Sequence, residues 1–236
     1  MKSALRAITA KSAPALNDAP RQSVRSRNGS VLLIIGRTFV FLFGLAMMAY
    51  GIVLLVQAKF GAAPWDVMHL GVVRWTGLSF GRVRQAVGLI VVVVGCLMLL
   101  KWPTIGMIAN MVLVGEFCNW FTVLHLVPSP TDLTTRILSF AAGMVIWGFG
   151  TGVYIQSGLG AGPRDLLMLA IHARTRWPIR WVRSMIEVAA VLIGIALGGP
   201  FAIGTIVYSL AIGHITEYGM KLSRFFLRPL TEGKEI

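Results

Sequence analysis

The chain has 236 residues, of which 56% are hydrophobic and only 13% are charged, and its mean hydropathy is +0.75. Because soluble domains carry roughly 25% charged residues, this balance excludes an ordinary water-soluble domain and indicates a protein embedded in lipid. The net charge of +13 does not indicate nucleic-acid binding, since the Lys and Arg residues lie between apolar runs and at both ends, as expected for anchoring against anionic headgroups.

Residues 1–30 form the first segment, a basic stretch that contains six Lys or Arg residues and a single acid, Asp18. The stretch lacks the apolar core of roughly 7–15 residues that an ordinary secretory signal peptide requires. We therefore expect a disordered tail on the cytoplasmic side of the membrane.

Residues 31–127 are predicted to form a first membrane repeat with three long helices and one short helix. A first span is followed by the motif Gly-Ala-Ala-Pro-Trp-Asp at 61–66, a Gly-rich turn that opens the short helix. At about 1.5 Å per residue the short helix is too brief to cross the ~30 Å hydrocarbon core upright. In chain order, the predicted first span, short helix, second span and third span are 38–58, 64–75, 81–101 and 103–127.

Residues 128–132 are predicted to be a linker because they are rich in Pro and Ser, and residues 223–236 are predicted to be a cytoplasmic C-terminal tail. Between them, residues 133–222 repeat the plan of the first half. Ninety-nine residues after the first motif, the sequence reads Gly-Ala-Gly-Pro-Arg-Asp at 160–165. The predicted fold class is therefore all-α, a polytopic transmembrane helical bundle built from two homologous repeats.

Two arrangements of these repeats are open. If each short helix returns to the face from which it enters, each half has three spans and the halves are inverted. If the short helices cross, each half has four spans and the halves are parallel. Outside the two tails, the four-span arrangement places most Arg residues on the cytoplasmic side, whereas the three-span arrangement shows no charge bias. The positive-inside rule therefore favours parallel halves.

Asp66 and Asp165 are the first candidates for a functional site. An acid just after a Pro suits a helix N-terminus, where the helix dipole favours negative charge. An interrupted helix within a membrane also exposes backbone groups to a substrate, and ionisable residues there are functional candidates. An Asp at this position favours a cation, an amine or a proton. The other candidate substrate-binding residues around the two motifs are Gln57, Gln156, Gly61, Gly160, Pro64 and Pro163.

Four further candidates lie on the long helices. Arg84 and Arg183 lie at the mouth of the second span in each half, where they snorkel to the interface, pair with the aspartates or gate anionic headgroups. Glu116 lies near the middle of the third span, and His214 lies on the corresponding helix of the second half. A Glu116–His214 pair would form a proton site; alternatively, a neutral Glu116 joins two helices by hydrogen bonds.

Known catalytic signatures are absent from the sequence, which contains no His-Glu-x-x-His, no phosphate-binding Gly-x-x-x-x-Gly-Lys and no Gly-x-Ser-x-Gly. The two cysteines, Cys96 and Cys118, both lie inside apolar runs, which fits neither a disulfide nor a metal site. We expect no catalytic residues, no metal and no cofactor.

Several of these stretches resemble the YczE/YyaS/YitT family of bacterial integral membrane proteins. They are the first motif with Val67, the turn at 76–81, the second motif with the two residues before it, and the Gly-Gly-Pro at 198–200 that leads into Ile-Gly-Thr at 203–205. The resemblance covers residues 37–219. It implies a bacterial inner-membrane protein and leaves the substrate open.

The sequence favours a small-molecule permease, or a substrate-binding membrane subunit, with its site between the two repeats. The alternatives are a non-transporting membrane scaffold or regulator of another complex and, less favoured, a membrane-embedded enzyme. Expected partners are membrane lipid, a small-molecule or cation substrate, and a second copy of the chain or another membrane protein. The expected location is the bacterial inner membrane, with several passes and both termini in the cytoplasm.

Overall fold

The structure is a computed structural model that describes residues 27–160 and 162–231, and all regular structure in these residues is helical. Most of the predicted N-terminal tail therefore lies outside the described residues. The eight helices, numbered in chain order, are α1 (Arg27–Gln57), α2 (Pro64–Thr76), α3 (Phe80–Leu99), α4 (Ile105–Val123), α5 (Leu133–Gln156), α6 (Pro163–Thr175), α7 (Ile179–Ala196) and α8 (Ile203–Thr231).

The short helices α2 and α6 begin at Pro64 and Pro163, as predicted. A proline fits the first helical turn because its missing N–H would have no intrahelical partner there. Helix α2 ends at Gly77, whose φ of 68° lies in the left-handed region that glycine adopts without steric cost. Helix α8 continues past the predicted boundary at residue 222, so the start of the predicted C-terminal tail is helical.

Four helices in the described part of the chain are long and apolar enough to cross a membrane: Leu33–Gln57, Phe80–Leu99, Ile105–Val123 and Leu133–Gln156. Their outward surfaces carry large apolar side chains such as Ile90, Leu97 and Leu138, each more than 60% exposed. A contiguous apolar surface of this kind is unfavourable in water and is expected where lipid is the solvent. The fold is therefore that of a helical membrane protein.

Helices α1 and α5 form a close antiparallel pair. Gly51 lies so near the other helix that a Cβ there would come within 2.6 Å of the Trp147 backbone nitrogen. Seven residues later, just past the end of α1, the contact lies earlier along α5, where Arg136 Nε donates to the carbonyl of Ala58 at 2.9 Å. Close contact between small residues is a main source of helix association in lipid, where burial of apolar surface no longer drives packing.

Helix α4 packs beside α1 and runs in the same direction. Cys118 lies against the carbonyl of Ala49, and the ring of Phe121 meets that of Tyr50 edge to face at 5.5 Å between centroids. The contact that lies later along α1 also lies later along α4, as expected for parallel helices. The apolar side chains of this pair form one of the main core clusters.

Helix α3 runs against α4 in the opposite direction. The Gly81 N–H donates to Asn119 Oδ1 at 3.0 Å, and Gln85 Nε2 donates to Glu116 Oε1 at 2.8 Å. The contact that lies later along α3 lies earlier along α4, as expected for antiparallel helices. Helix α3 is therefore antiparallel to α1 as well, which means that no net crossing separates the end of α1 from the start of α3.

Each short helix packs on the second long helix of the other half. Along α2 and α7, a Cβ on Gly194 would lie 2.6 Å from Met68 N, and Trp75 Nε1 donates to the Leu197 carbonyl at 3.1 Å. The corresponding pair is α6 and α3, where Arg174 Nε donates to the Met98 carbonyl at 3.0 Å. The exchange of short helices leaves the two halves interlocked.

The helix directions do not fit the parallel halves that the charge distribution favours. Parallel halves would make α1 and α5 run in the same direction, and they run in opposite directions. The charge count was misleading because several of the arginines that it used have internal partners. Arg84 pairs with Asp66 in the interior and is not free to anchor a cytoplasmic surface, and the exposed Arg74 donates to the Gly198 carbonyl at 3.3 Å.

Candidate functional site

A cavity in the described chain is lined by residues of both halves, and both short helices begin at its wall. Its volume is about 340 Å³, within the range of roughly 300–1,000 Å³ that is typical of small-molecule sites. Polar and charged side chains on the wall include Arg84, Asn110, Arg164, Asp165, Arg183 and Glu187.

Asp66 anchors a buried ionic cluster directly behind this wall. It lies in the first turn of α2 and is 2% exposed. Its Oδ1 accepts from His69 Nδ1 at 3.1 Å and forms an ion pair with the Arg84 guanidinium. The Arg84 guanidinium also lies over the ring of Phe80, 5.5 Å from its centroid. A carboxylate this far from water requires such partners, because a buried charge without one is costly.

Arg164 supplies a second guanidinium to the same carboxylate at a longer distance. Its Nη2 lies 3.8 Å from Asp66 Oδ1, and its Cζ lies 4.8 Å from the centroid of the Trp65 ring, which supports a cation–π contact. The side chain is 35% exposed, and that exposed part faces the cavity. Among the described residues, no acceptor lies within hydrogen-bond distance of this guanidinium.

Asn110 of α4 contributes an amide that is 6% exposed, at the start of α6. Its Oδ1 and the Tyr154 hydroxyl both lie beside Gly162, at 3.6 and 3.9 Å from the position of a Cβ on that glycine. The Asn110 Nδ2 group forms no hydrogen bond of regular geometry in the described structure, and the nearby Tyr154 hydroxyl interacts with this amide only weakly. A buried donor without a regular hydrogen bond is unusual, since more than about 90% of buried polar groups are hydrogen-bonded.

The acids of the second half are arranged differently from Asp66. Asp165 lies in the first turn of α6 and lines the cavity, and no described side chain forms an ion pair with it. Arg183, which corresponds to Arg84, instead pairs with Glu187 at 3.3 Å. The two halves thus place similar residues around one cavity with different ionic partners.

The remaining cavity wall is aromatic and aliphatic. Trp65, Trp147, Tyr154 and Tyr208 contribute rings, and four methionines add flexible apolar surface. This combination of apolar wall and few polar groups is typical of sites for small organic molecules. No cluster of three or more potential metal ligands occurs among the residues that the structure describes.

The structure brings some of the predicted site residues to the cavity and leaves others elsewhere. Five of them line it: Pro64, Arg84, Pro163, Asp165 and Arg183. Asp66 lies one contact behind the wall. Gly61 and Gly160 form the turns that lead to the short helices, both with φ near 143°. Gln57 and Gln156 are not part of the cavity wall, and the amide of Gln57 accepts from Ser129 at 2.9 Å.

Glu116 and His214 are not joined by a hydrogen bond or an ion pair in the described structure. Glu116 accepts from Gln85 and links α4 to α3, which matches the alternative in which it joins helices. His214 is exposed on α8. The proton site suggested for this pair therefore has no geometric support.

Sequence reasoning missed the residues in which the two motifs differ. Where the first copy has Trp65 the second has Arg164, and where the first has Ala63 the second has Gly162. A search for residues shared by the two copies does not find these positions. All four residues nevertheless line the cavity. The positions at which the two motif copies differ would have identified these residues from the sequence.

Comparisons with known proteins support the membrane assignment and the family. Residues 35–221 match a family of unknown function, DUF6198. The chain is 36% identical over 192 residues to the uncharacterized membrane protein YczE of Bacillus subtilis, covering 81% of this chain and 88% of that protein. It is 30% identical over 189 residues to an uncharacterized protein of Haemophilus influenzae, covering 78% and 83% of the two chains.

A third relative, the uncharacterized protein YyaS of Bacillus subtilis, is 25% identical over 164 residues, which cover 69% of this chain and 82% of YyaS. No solved structure matches the chain. The family match spans most of the described helices, and the resemblance predicted from the two motifs is confirmed. The chain belongs to DUF6198, a family of unknown function, and is similar to the Bacillus subtilis proteins YczE and YyaS.

Proposed function

We propose that the protein is a small-molecule permease of the bacterial inner membrane whose substrate binds in the central cavity. The observation that carries the proposal is that both interrupted helices, α2 and α6, begin at this one cavity. In many transporters, interrupted helices at corresponding places of two halves meet at the substrate site. Ionised side chains held at such depth are costly, which is a reason to expect that they serve binding or transport.

We further propose that the two halves are homologous repeats with inverted topology. The antiparallel pairing of α1 with α5, and the exchange of α2 and α6 between the halves, support this arrangement. Each half then has three spans, which adds α7 and α8 to the four helices that are long and apolar enough to cross a membrane. Each short helix returns to the face from which its loop enters. An even number of spans places both termini on the same side, and the basic residues of the N-terminal segment place that side in the cytoplasm.

Asp165 is the residue that we propose for a coupling cation or proton. It lines the cavity and, unlike Asp66, has no ion-pair partner among the described side chains. Asp66, by contrast, holds Arg84 and His69 and is proposed to organise the site. Both aspartates were expected to bind a cation or a proton, and the proposal gives this role to Asp165 alone.

Two-sided access to the cavity tests the permease proposal without knowledge of the substrate. Thr151 lines the cavity and is 7% exposed, and Thr151→Cys is a small change in a variant whose Cys96 and Cys118 are replaced by Ala. A permease alternates between states open to each side, so a membrane-impermeant thiol reagent should label this cysteine in intact cells and also in inverted vesicles.

The cysteine-free parent and an exposed-loop cysteine, Leu78→Cys, are the controls. The first should show no labelling, and the second should be labelled from one side only. If Thr151→Cys is labelled from one side only, or from neither, the permease proposal is wrong, and a scaffold that holds the cavity in one state becomes the better account.

A further inference from the structure

We infer that the cavity binds an anionic oxygen group, such as a carboxylate or a phosphate, between the Arg164 guanidinium and the Asn110 amide. The inference rests on the proposed function in that it names the charge class of that site's ligand. Two side chains in the cavity wall, Arg164 and Asn110, have N–H donors that form no hydrogen bond of regular geometry in the described structure, and the inference rests on these donors.

Arg164 supplies the first of these donors. A guanidinium has five N–H donors in a fixed fork that matches an oxyanion. Asp66 Oδ1, at 3.8 Å, is the only described carboxylate oxygen within 4 Å of this guanidinium. That oxygen also pairs with His69 and Arg84. Two guanidinium groups therefore share one carboxylate. Both arginines line the cavity, and Arg164, which is farther from the carboxylate, is the more exposed at 35% against 12% for Arg84.

Asn110 supplies the second, an independent observation on a different helix. Its Nδ2 is buried and forms no hydrogen bond of regular geometry, with the Tyr154 hydroxyl as its nearby polar neighbour, while its Oδ1 lies beside Gly162 at the N-terminus of α6. The N-terminal end of a helix carries partial positive charge and favours anions. An anion with two or more oxygens would bind the amide and the helix end through one oxygen and the Arg164 guanidinium through another.

Differences between the two motif copies are concentrated at this place. The second copy has an arginine where the first has Trp65, and the two side chains stack on each other across the halves. It also has Gly162 where the first has Ala63, and Gly162 carries no Cβ between the amide and the helix start. A site of this kind exists in one half alone, so the ligand's charged group binds off the symmetry axis of the cavity.

The rest of the cavity indicates the body of the ligand. Trp65, Trp147 and Tyr208 offer aromatic surface, so an anion with an apolar or aromatic body fits better than a bare inorganic ion. Two sources share this chemistry: a water-soluble organic acid and the phosphate of an anionic lipid whose acyl chain enters between helices.

Thermal stability of the purified full chain tests the inference with five probes, three small molecules and two lipids, that differ in charge. Benzoate, benzamide and benzylamine present the same ring with negative, neutral and positive groups, and phosphatidylglycerol is compared with phosphatidylcholine for the lipid source. Ligand that binds the native state alone raises the midpoint temperature in proportion to the logarithm of its excess. We expect benzoate or phosphatidylglycerol to raise it, and benzamide, benzylamine and phosphatidylcholine to have little effect.

Variants of Arg164 and Asn110 test whether the stabilisation by an anionic probe arises at the proposed site. Arg164→Gln should weaken the apparent affinity on the order of tenfold or more, since it removes a charge-assisted donor pair, and Asn110→Asp should weaken it by placing a carboxylate against the anion. Arg164→Lys, which keeps the charge and loses the fork, should give an intermediate loss. Arg82→Gln is the matched control, since Arg82 is exposed outside the cavity and its loss should change nothing.

Each outcome decides the inference. Stabilisation by benzoate that needs Arg164 supports a soluble anion, and stabilisation by phosphatidylglycerol alone that needs Arg164 supports a lipid headgroup. Equal effects of the neutral or cationic probe, no effect of either anion, or an anion effect that survives Arg164→Gln would overturn it. One-sided labelling of Thr151→Cys together with anion binding would leave the site standing and reject the permease.

Discussion

Replacing Arg84 with Gln is expected to lower the free energy of unfolding by about 3–5 kcal/mol, the cost of leaving one member of a buried ion pair without its partner. The Asp66 side chain is 3% exposed and that of Arg84 is 12% exposed, so little water can replace the lost guanidinium. The second guanidinium, at 3.8 Å, is too far away to compensate fully.

A double-mutant cycle in detergent, followed by thermal or chemical unfolding, measures this coupling. The variant Asp66→Asn/Arg84→Gln carries neither charge and should be more stable than Arg84→Gln alone, because removal of both partners leaves no uncompensated carboxylate. Arg82→Gln removes an exposed guanidinium two residues away and should change stability by no more than about 0.5 kcal/mol. Equal losses for Arg84→Gln and Arg82→Gln would show that the pair does not hold the cluster together.

Replacing Gly51 with Ala is expected to destabilise the protein by about 1–3 kcal/mol through overpacking. The added methyl group would lie 2.6 Å from Trp147 N and 2.8 Å from the Gly143 carbonyl oxygen. Both atoms belong to the backbone of α5, which cannot move aside without separating the helix pair at the centre of the fold.

Gly213→Ala is the matched control for this prediction, because it makes the same substitution within a helix at a place where no atom lies within 4 Å of the added Cβ. It should be neutral or stabilising by up to about 1 kcal/mol, since alanine lowers the conformational entropy of the unfolded chain. The measurement is the unfolding midpoint of each of the two variants in the same detergent. A Gly51→Ala variant as stable as Gly213→Ala would contradict the close packing of α1 on α5.

The helical membrane character and the short helices were predictable from sequence because they depend on local properties. Long apolar runs specify spans, and a Gly-rich turn followed by Pro specifies the start of α2 and of α6. Pairing between distant residues was harder to predict. Arg84 and Asp66 were each recognised as candidates, yet whether the arginine reaches the acid or the lipid interface depends on the packing of α2 against α3.

Helix direction was the property for which sequence reasoning failed. The positive-inside rule counts charges by position along the chain, and it treats every arginine as a surface anchor. Here Arg74, Arg84 and Arg136 bind internal acceptors, so their positions report contacts between helices. The directions of α1, α3 and α5 became evident only from which residues touch.

The side of the membrane on which two loops lie tests the central claim, a cavity enclosed by inverted halves, most directly. Lys59 follows α1 and Leu78 follows α2, and both are exposed. Single cysteines at these positions, in the variant without Cys96 and Cys118, can be labelled with a membrane-impermeant maleimide in intact cells and in inverted vesicles. If α2 returns to the face from which its loop enters, Lys59→Cys and Leu78→Cys will be labelled from the same side, which is the result expected here. Labelling from opposite sides would mean that α2 crosses the membrane, and the inverted arrangement would be wrong.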